Sequence, residues 1–213
     1  ILLKNIKFYN NDATHSEGYG GAIHMSVSSN ASNTVADIEQ CLFYDNYAEY
    51  LGGVLYMGDG NTANISNSVM VDNRAKYYGQ AVYVSDVNAS SDEVWLTINF
   101  CTIYRNWTTY NVASNGAIRA YSAANADDVN VFVDNSIILY NGTGASNGEG
   151  NYYYDFNTST PSRVYFDIDY SFSDARISLY SAIRANMEDL MSAWGNCRRA
   201  GRPPPEECTR TDK

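Results

Sequence analysis

Apolar and polar positions alternate along this chain in short bursts, and the bursts recur in one fixed order about every thirty residues. Each burst closes on an asparagine, at Asn11, Asn46, Asn73, Asn106 and Asn141. Ten positions earlier stand Ile1, Ala36, Ala63, Leu96 and Val131, and eight earlier stand Leu3, Ile38, Ile65, Ile98 and Val133. Five earlier come Ile6, Cys41, Ser68, Cys101 and Ser136, and three earlier Phe8, Phe43, Met70, Ile103 and Ile138. Within each pair of columns the spacing is two, the strand period. Between the pairs, Asn5, Gln40, Asn67, Phe100 and Asn135 break the alternation, which predicts a turn there. A second phrase follows each first one: Gly20-Gly21-Ala22-Ile23, Gly52-Gly53-Val54-Leu55, Gly79-Gln80-Ala81-Val82 and Asn115-Gly116-Ala117-Ile118. It predicts a third strand, with glycine supplying a backbone conformation closed to other residues.

Fixed phrases at a variable interval describe a coil with elastic loops. A β-sandwich has no reason to repeat its phrases in one order. The pattern therefore predicts an all-β parallel β-helix with three strands per coil and about five to six coils over residues 1–173. Stacking would place like residues above like, about 4.8 Å apart. Asparagines at a turn would then bond one another as a ladder, as stacked amides do in cross-β assemblies.

After Asp174 the phrases stop, and Ile177, Tyr180, Ile183, Met187, Leu190, Met191 and Trp194 take helical spacing. This predicts an amphipathic helix within 174–195, serving as a lid on the last coil or as a docking element. Residues 196–213 form a tail with Pro203-Pro204-Pro205, in which Cys197 and Cys208 bracket an Arg- and Pro-rich loop and are expected to form a disulfide. Cys41 and Cys101 share a column but have Ser68 between them. Two coils, about 9.6 Å, exceed disulfide reach, so both are read as buried thiols.

The FxxN and GGAI phrases resemble the repeats of the polymorphic outer-membrane proteins, a right-handed parallel β-helix group. The resemblance covers residues 1 to about 154, with departures at Met70-Val71, Gly79-Gln80 and Gly150-Asn151-Tyr152. It implies a right-handed coil, secretion, a surface location and adhesion, and it carries no catalytic residues.

Composition narrows the function. The formal charge is −10, which argues against a nucleic-acid partner, whose binders cluster Lys and Arg. No run of about 20 apolar residues is present to span a membrane. The chain opens on Ile1-Leu2-Leu3, already a strand, which reads as a mature product or a piece of a longer chain. Sequons occur at Asn30, Asn64, Asn88, Asn106, Asn141 and Asn157. Asn106 and Asn141 are ladder residues and are discounted. Asn30, Asn88 and Asn157 are placed in long loops and Asn64 on an outward strand position, so these four are expected to carry N-linked glycans.

The outward columns of the second strand hold Tyr9, Leu42, Tyr44, Val69, Val71, Tyr104, Ile137 and Leu139, mostly apolar although they face away from the core. They are read as an interface for self-association, as a homo-oligomer or fibre, or for other surface proteins. The outward column of the third strand, His24, Tyr56, Tyr83, Arg119 and Tyr153, is aromatic, and β-propensity alone accounts for it. Asp45, Asp72 and Arg105 make an outward row that is the best catalytic candidate, yet a column before a turn favours such residues for solvation alone. No metal-ligand spacing and no cofactor motif is found. The reading is an extracellular structural or adhesive glycoprotein, a subunit of a surface filament, sheath or appendage, without enzymatic activity. The competing classes are a polysaccharide lyase or hydrolase and a glycan-binding module.

Overall fold

The computed structural model describes residues 1–26, 33–87, 93–110, 116–123, 128–143, 156–158, 164–169 and 172–173, with 156–158 and 172–173 by backbone alone. The predicted helix over 174–195, the tail, and Cys197 and Cys208 lie outside the described residues. Among the described residues every regular element is a strand, and none is a helix long and apolar enough to cross a membrane.

The chain winds as a parallel β-solenoid. Its first turn holds β1 (Leu2–Lys4), β2 (Lys7–Tyr9), β3 (Asp12–Ala13) and β4 (Ile23–Met25). The second holds β5 (Val35–Glu39), β6 (Leu42–Tyr44), β7 (Tyr47–Ala48) and β8 (Leu55–Gly58). The third holds β9 (Thr62–Ser66), β10 (Val69–Val71), β11 (Arg74–Ala75) and β12 (Val82–Asp86). The fourth holds β13 (Val94–Asn99), β14 (Thr102–Tyr104), β15 (Trp107–Thr108) and β16 (Ile118–Ser122). Beyond these four turns, β17 (Val129–Asp134), β18 (Ile137–Leu139), β19 (Gly142–Thr143) and β20 (Phe156–Thr158) follow the same circuit, and β21 (Val164–Asp169) and β22 (Phe172–Ser173) begin another. The strands stack into four parallel sheets, in the orders β1-β5-β9-β13-β17-β21, β2-β6-β10-β14-β18-β22, β3-β7-β11-β15-β19 and β4-β8-β12-β16-β20.

The sequence reading gives three strands per coil, and the structure adds a fourth. The extra two-residue strands follow each ladder asparagine and pair Asp12–Tyr47–Arg74–Trp107–Gly142 in register. Only one residue of each, such as Ala48, Ala75 or Thr108, points inward and is buried, too few to show a period.

Register runs as the columns predict. Phe8, Phe43, Met70, Ile103 and Ile138 are Cα partners in succession, and so are Leu3, Ile38, Ile65, Ile98 and Val133. All but the first member of each file are at most 1% exposed, and Phe8 stacks on Phe43 with centroids 4.9 Å apart and planes 4° apart. The core is thus one internal file rather than a ball.

The corners are set by left-handed backbone. Asn5, Gln40, Asn67, Phe100 and Asn135 all have φ between 47° and 57°, and Asn10, Asp45, Asp72, Arg105 and Tyr140 between 51° and 55°. This region disfavours side chains other than Asn and Asp. Phe100 is held there because its N–H still reaches the next turn, donating to Asp134 O at 3.2 Å as Asn67 N does to Asn99 O at 3.1 Å. One residue in this conformation bends the chain without losing a ladder bond.

Two side-chain ladders line the second sheet. Each asparagine amide donates to the Oδ1 of the next, Asn46 to Asn73 at 2.8 Å, Asn73 to Asn106 at 2.9 Å and Asn106 to Asn141 at 3.0 Å. The same Oδ1 accepts a backbone N–H from the preceding turn, as Asn106 Oδ1 does from Asn73 N at 3.0 Å. The second amide hydrogen goes back to a carbonyl, Asn73 Nδ2 to Phe43 O at 3.0 Å. In the Ser/Cys column, Ser68 Oγ accepts from Cys41 N at 3.0 Å and donates to Ser66 O at 2.8 Å, and Ser136 Oγ repeats this below Cys101. Cys41 and Cys101 are free and buried, their thiols directed at carbonyls, as the two-coil separation requires.

Burial gives a pH dependence. It pushes the Cys101 thiol up to about 11 from 9.0, and the Tyr83 hydroxyl up to about 12 from 10.0. In the unfolded chain both ionise near their ordinary values. Above pH 9 the unfolded state therefore holds fewer protons than the folded one, and stability falls as pH rises. Urea denaturation should lose about 1.4 kcal/mol per pH unit between pH 9 and 11 from Cys101 alone. Cys101→Ser, which copies Ser68 and Ser136, should remove that part of the slope while leaving the plateau near pH 7 in place. A slope unchanged by this substitution would contradict the assignment.

Candidate interaction surfaces

A solenoid presents each sheet twice, once to the core and once outward, so sites must lie on outer faces, corners or loops. On the second sheet Tyr9, Tyr44, Val69 and Ile137 are exposed, and Leu42, Val71, Tyr104 and Leu139 are half-buried by their neighbours. The expected apolar columns are therefore on the outside and contiguous in register. Their size is small. Three residues per strand span roughly 10 Å, and five steps between strands span roughly 24 Å, so the face covers roughly 240 Å². A stable protein–protein interface needs about 800 Å² from each partner.

Around the single left-handed corner the first sheet turns outward a polar column, Lys4, Glu39, Ser66, Asn99, Asp134 and Asp169, with aromatic residues beyond it. Here Trp95 and Tyr165 are exposed, and Trp95 stacks on Phe132 with centroids 5.7 Å apart and planes 5° apart, Phe132 in turn meeting Tyr165 at 5.9 Å. Asn64 stands exposed on the same face, its Nδ2 donating to Asp37 Oδ1 at 2.9 Å. Of the other sequons, Asn106 and Asn141 are 0% and 1% exposed within the ladder, so they cannot accept a glycan in the folded chain. Asn30 and Asn88 lie outside the described residues. Asn157 sits in β20 as the Cα partner of Arg119, not in a loop between coils. It takes the place assigned to Tyr153, because the strand in register with Ile118 begins at Phe156 and not at Tyr152.

The third sheet carries two aromatic columns that the sequence reading missed. In the first, the Arg74 guanidinium lies between the rings of Tyr47, at 4.2 Å, and Trp107, at 5.0 Å. In the second, Tyr50 meets Tyr77 edge-on at 5.1 Å, Tyr77 stacks on Tyr110 at 4.9 Å, and Tyr50 meets Tyr19 at 5.4 Å. The signal is present in the sequence: Tyr50, Tyr77 and Tyr110 each stand four positions after a ladder asparagine. Between the columns, Lys76 pairs with Glu49. Burial, followed by the Glu49 carboxylate that its hydroxyl bonds, pushes Tyr47 up to about 12.

On the fourth sheet His24, Tyr56, Tyr83 and Arg119 form one outward column. Tyr56 and Tyr83 stack with planes 6° apart, and the Tyr56 hydroxyl meets Ser85 Oγ at 3.1 Å. His24 lies edge-on to Tyr56 at 5.0 Å, and burial lowers its pKa.

The Asp45–Asp72–Arg105 row is a left-handed corner, which explains its preference for Asp. Arg105 Nε donates to Asp72 Oδ1 at 2.8 Å, so this arginine neutralises a carboxylate beside it. Exposed pairs of this kind contribute little to stability. His15 is engaged locally, its Nδ1 accepting from Glu17 N at 3.4 Å. Among the described residues no group of three or more His, Cys, Asp or Glu is placed to hold a metal ion. No protein-family model, curated protein or solved structure matches the chain.

Proposed function

We propose that the chain is an extracellular structural or adhesive glycoprotein, a subunit of a surface filament, sheath or appendage that associates through the outer faces of its solenoid. The observation that carries this reading is the contiguous apolar column pair on the second sheet, with the separate aromatic cluster of Trp95, Phe132 and Tyr165 on the first. The FxxN and GGAI phrases support it, through their likeness to the repeats of polymorphic outer-membrane proteins. The apolar columns of the second sheet span roughly 240 Å², so a contact of stable size takes in polar outward residues of neighbouring faces as its rim. A glycan-binding role is the second reading, favoured by the aromatic columns of the third and fourth sheets.

The two sheets make the proposal testable. A glycan on Asn64 would stand on the outer side of the first sheet, next to the second, so glycosylation and a lateral contact reaching across the corner compete there. Light scattering on the full chain should show concentration-dependent association of the unglycosylated protein. Val69→Lys with Ile137→Lys should abolish it while leaving the melting transition cooperative, because both side chains point outward. Association unaffected by these two lysines, or a chain that stays monomeric up to its solubility limit, would defeat the reading.

A further inference from the structure

Arg119 presents an imbalance that neither reading above uses. It stands on the outer side of the fourth sheet, in register with Tyr83 and Asn157, yet it is only 6% exposed. Tyr83 beside it is 7% exposed, so this part of the outer face is enclosed rather than open to solvent. The guanidinium lies over the ring of Tyr78, 4.1 Å from its centroid, with Tyr83 beside it in register. Its Nε and Nη1 are buried and have no hydrogen-bond partner. Arginine stays protonated in proteins, so it cannot relieve burial by losing charge. A cation held this way is costly unless an anion accepts from it, and the ring of Tyr78 contacts its face without satisfying its N–H groups.

We propose that Arg119 anchors a binding site for a carboxylate. Tyr78 fixes the plane of the guanidinium, leaving the unpartnered Nε and Nη1 for the ligand. Charge selects the class. The chain carries a net −10, so a polyanion or a doubly charged phosphate is repelled over most of its approach. One negative charge on an otherwise neutral molecule meets only the local field of the guanidinium. The aromatic surroundings, Tyr78, Tyr83 and the Tyr56 stacked on it, suit a ligand whose remainder is a sugar ring or another weakly polar body. The carboxylate has two sources, a free small acid or an acidic sugar unit, and the shared recognition is the same.

The test uses the full chain at constant ionic strength set with sodium chloride. Sodium acetate, glucuronate, glucose and inorganic phosphate are titrated while the Arg119 Nε–H resonance, identified by its loss in Arg119→Lys, is followed by NMR. Acetate or glucuronate should shift that resonance saturably, and glucose should not. Tighter binding of glucuronate assigns the site to acidic sugars, and equal binding assigns it to free acids. Arg119→Lys keeps the charge but loses the planar fork, and it should weaken the same ligand at least tenfold, read by the ligand-induced rise in melting temperature. That rise is measured first on the unaltered protein, so the answer does not depend on the variant folding. The proposal fails if neither carboxylate shifts the resonance, if phosphate binds more tightly than both, or if Arg119→Lys binds as the parent does.

Discussion

Asn73→Ala should remove about 4 kcal/mol of stability, measured by urea denaturation at pH 7. The side chain is 0% exposed and sits midway along the ladder. Its Oδ1 accepts both Asn46 N, at 3.0 Å, and Asn46 Nδ2, at 2.8 Å, and its Nδ2 donates to Phe43 O and Asn106 Oδ1. Truncation strands a backbone N–H, an amide hydrogen and two acceptors in a region where water has no access. Each buried group left unpaired costs about 1–3 kcal/mol, and one of the two acceptors, Asn106 Oδ1, keeps its bond from the Asn73 backbone N–H. Asn73→Asp separates size from chemistry. It preserves shape and the two acceptances but replaces the donor with a charge facing Asn106 Oδ1. It should be at least as destabilising as alanine at pH 7 and should recover part of the loss in acid, where the carboxyl is protonated. If both variants melt within about 1 kcal/mol of the parent, the ladder is decoration. The turns contact only their neighbours, so the damage should also be directional, with amide exchange in β1 to β8 rising before that in β13 to β18.

Gly52→Ala should cost about 3 kcal/mol for a different reason. Gly52 has φ +69°, and a Cβ there would lie 2.3 Å from Leu55 O and 3.1 Å from Tyr56 N. Both are backbone atoms paired into the fourth sheet, so neither can swing aside. Left-handed strain alone is worth about 1–3 kcal/mol, and the overlap adds to it. Gly20 and Gly79 stand in the same column with φ +65°. The neighbouring column makes an internal control, because it runs Gly21, Gly53, Gln80 and so already accommodates a side chain once. That accommodation is imperfect, since the Gln80 amide is fully buried with both Nε2 and Oε1 unpartnered. Chemical denaturation of Gly52→Ala beside Gly52→Asn, an amide that tolerates positive φ better, distinguishes strain from overlap. Overlap should leave the two variants equal.

Much of this architecture was legible because each backbone event demands a particular side chain. Files of Phe8, Phe43 and Met70 show the strand period, and the corner columns show themselves as the places where that period slips. The ladder asparagines were readable for the same reason, each having four hydrogen-bonding tasks that few other side chains meet. Legibility failed where one residue carries the whole message. Ala48, Ala75 and Thr108 are each the lone inward residue of a two-residue strand, so alternation had nothing to act on. Gly150-Asn151 mimics the glycine phrase and so puts Tyr153 in the outward column by count, whereas pairing with Ile118 and Arg119 selects Phe156 and Asn157. The outer surface was harder still. The sequence reading put Arg119 in an outward column, yet it gave no hint that this column is closed over. The Tyr50–Tyr77–Tyr110 column could have been found by extending the count past each asparagine.

The asparagine file also has an orientation. From Asn11 to Asn106 each amide sends a hydrogen to the asparagine of the next winding, and from Asn46 to Asn141 each oxygen receives one from the winding before. The row is a chain of aligned arrows with unlike tips. Two copies brought together tip to tip in opposite senses would set oxygen against oxygen, or hydrogen against hydrogen. Copies joined end on through this file can therefore add only with arrows parallel, and the resulting strand would grow with chemically distinct leading and trailing ends.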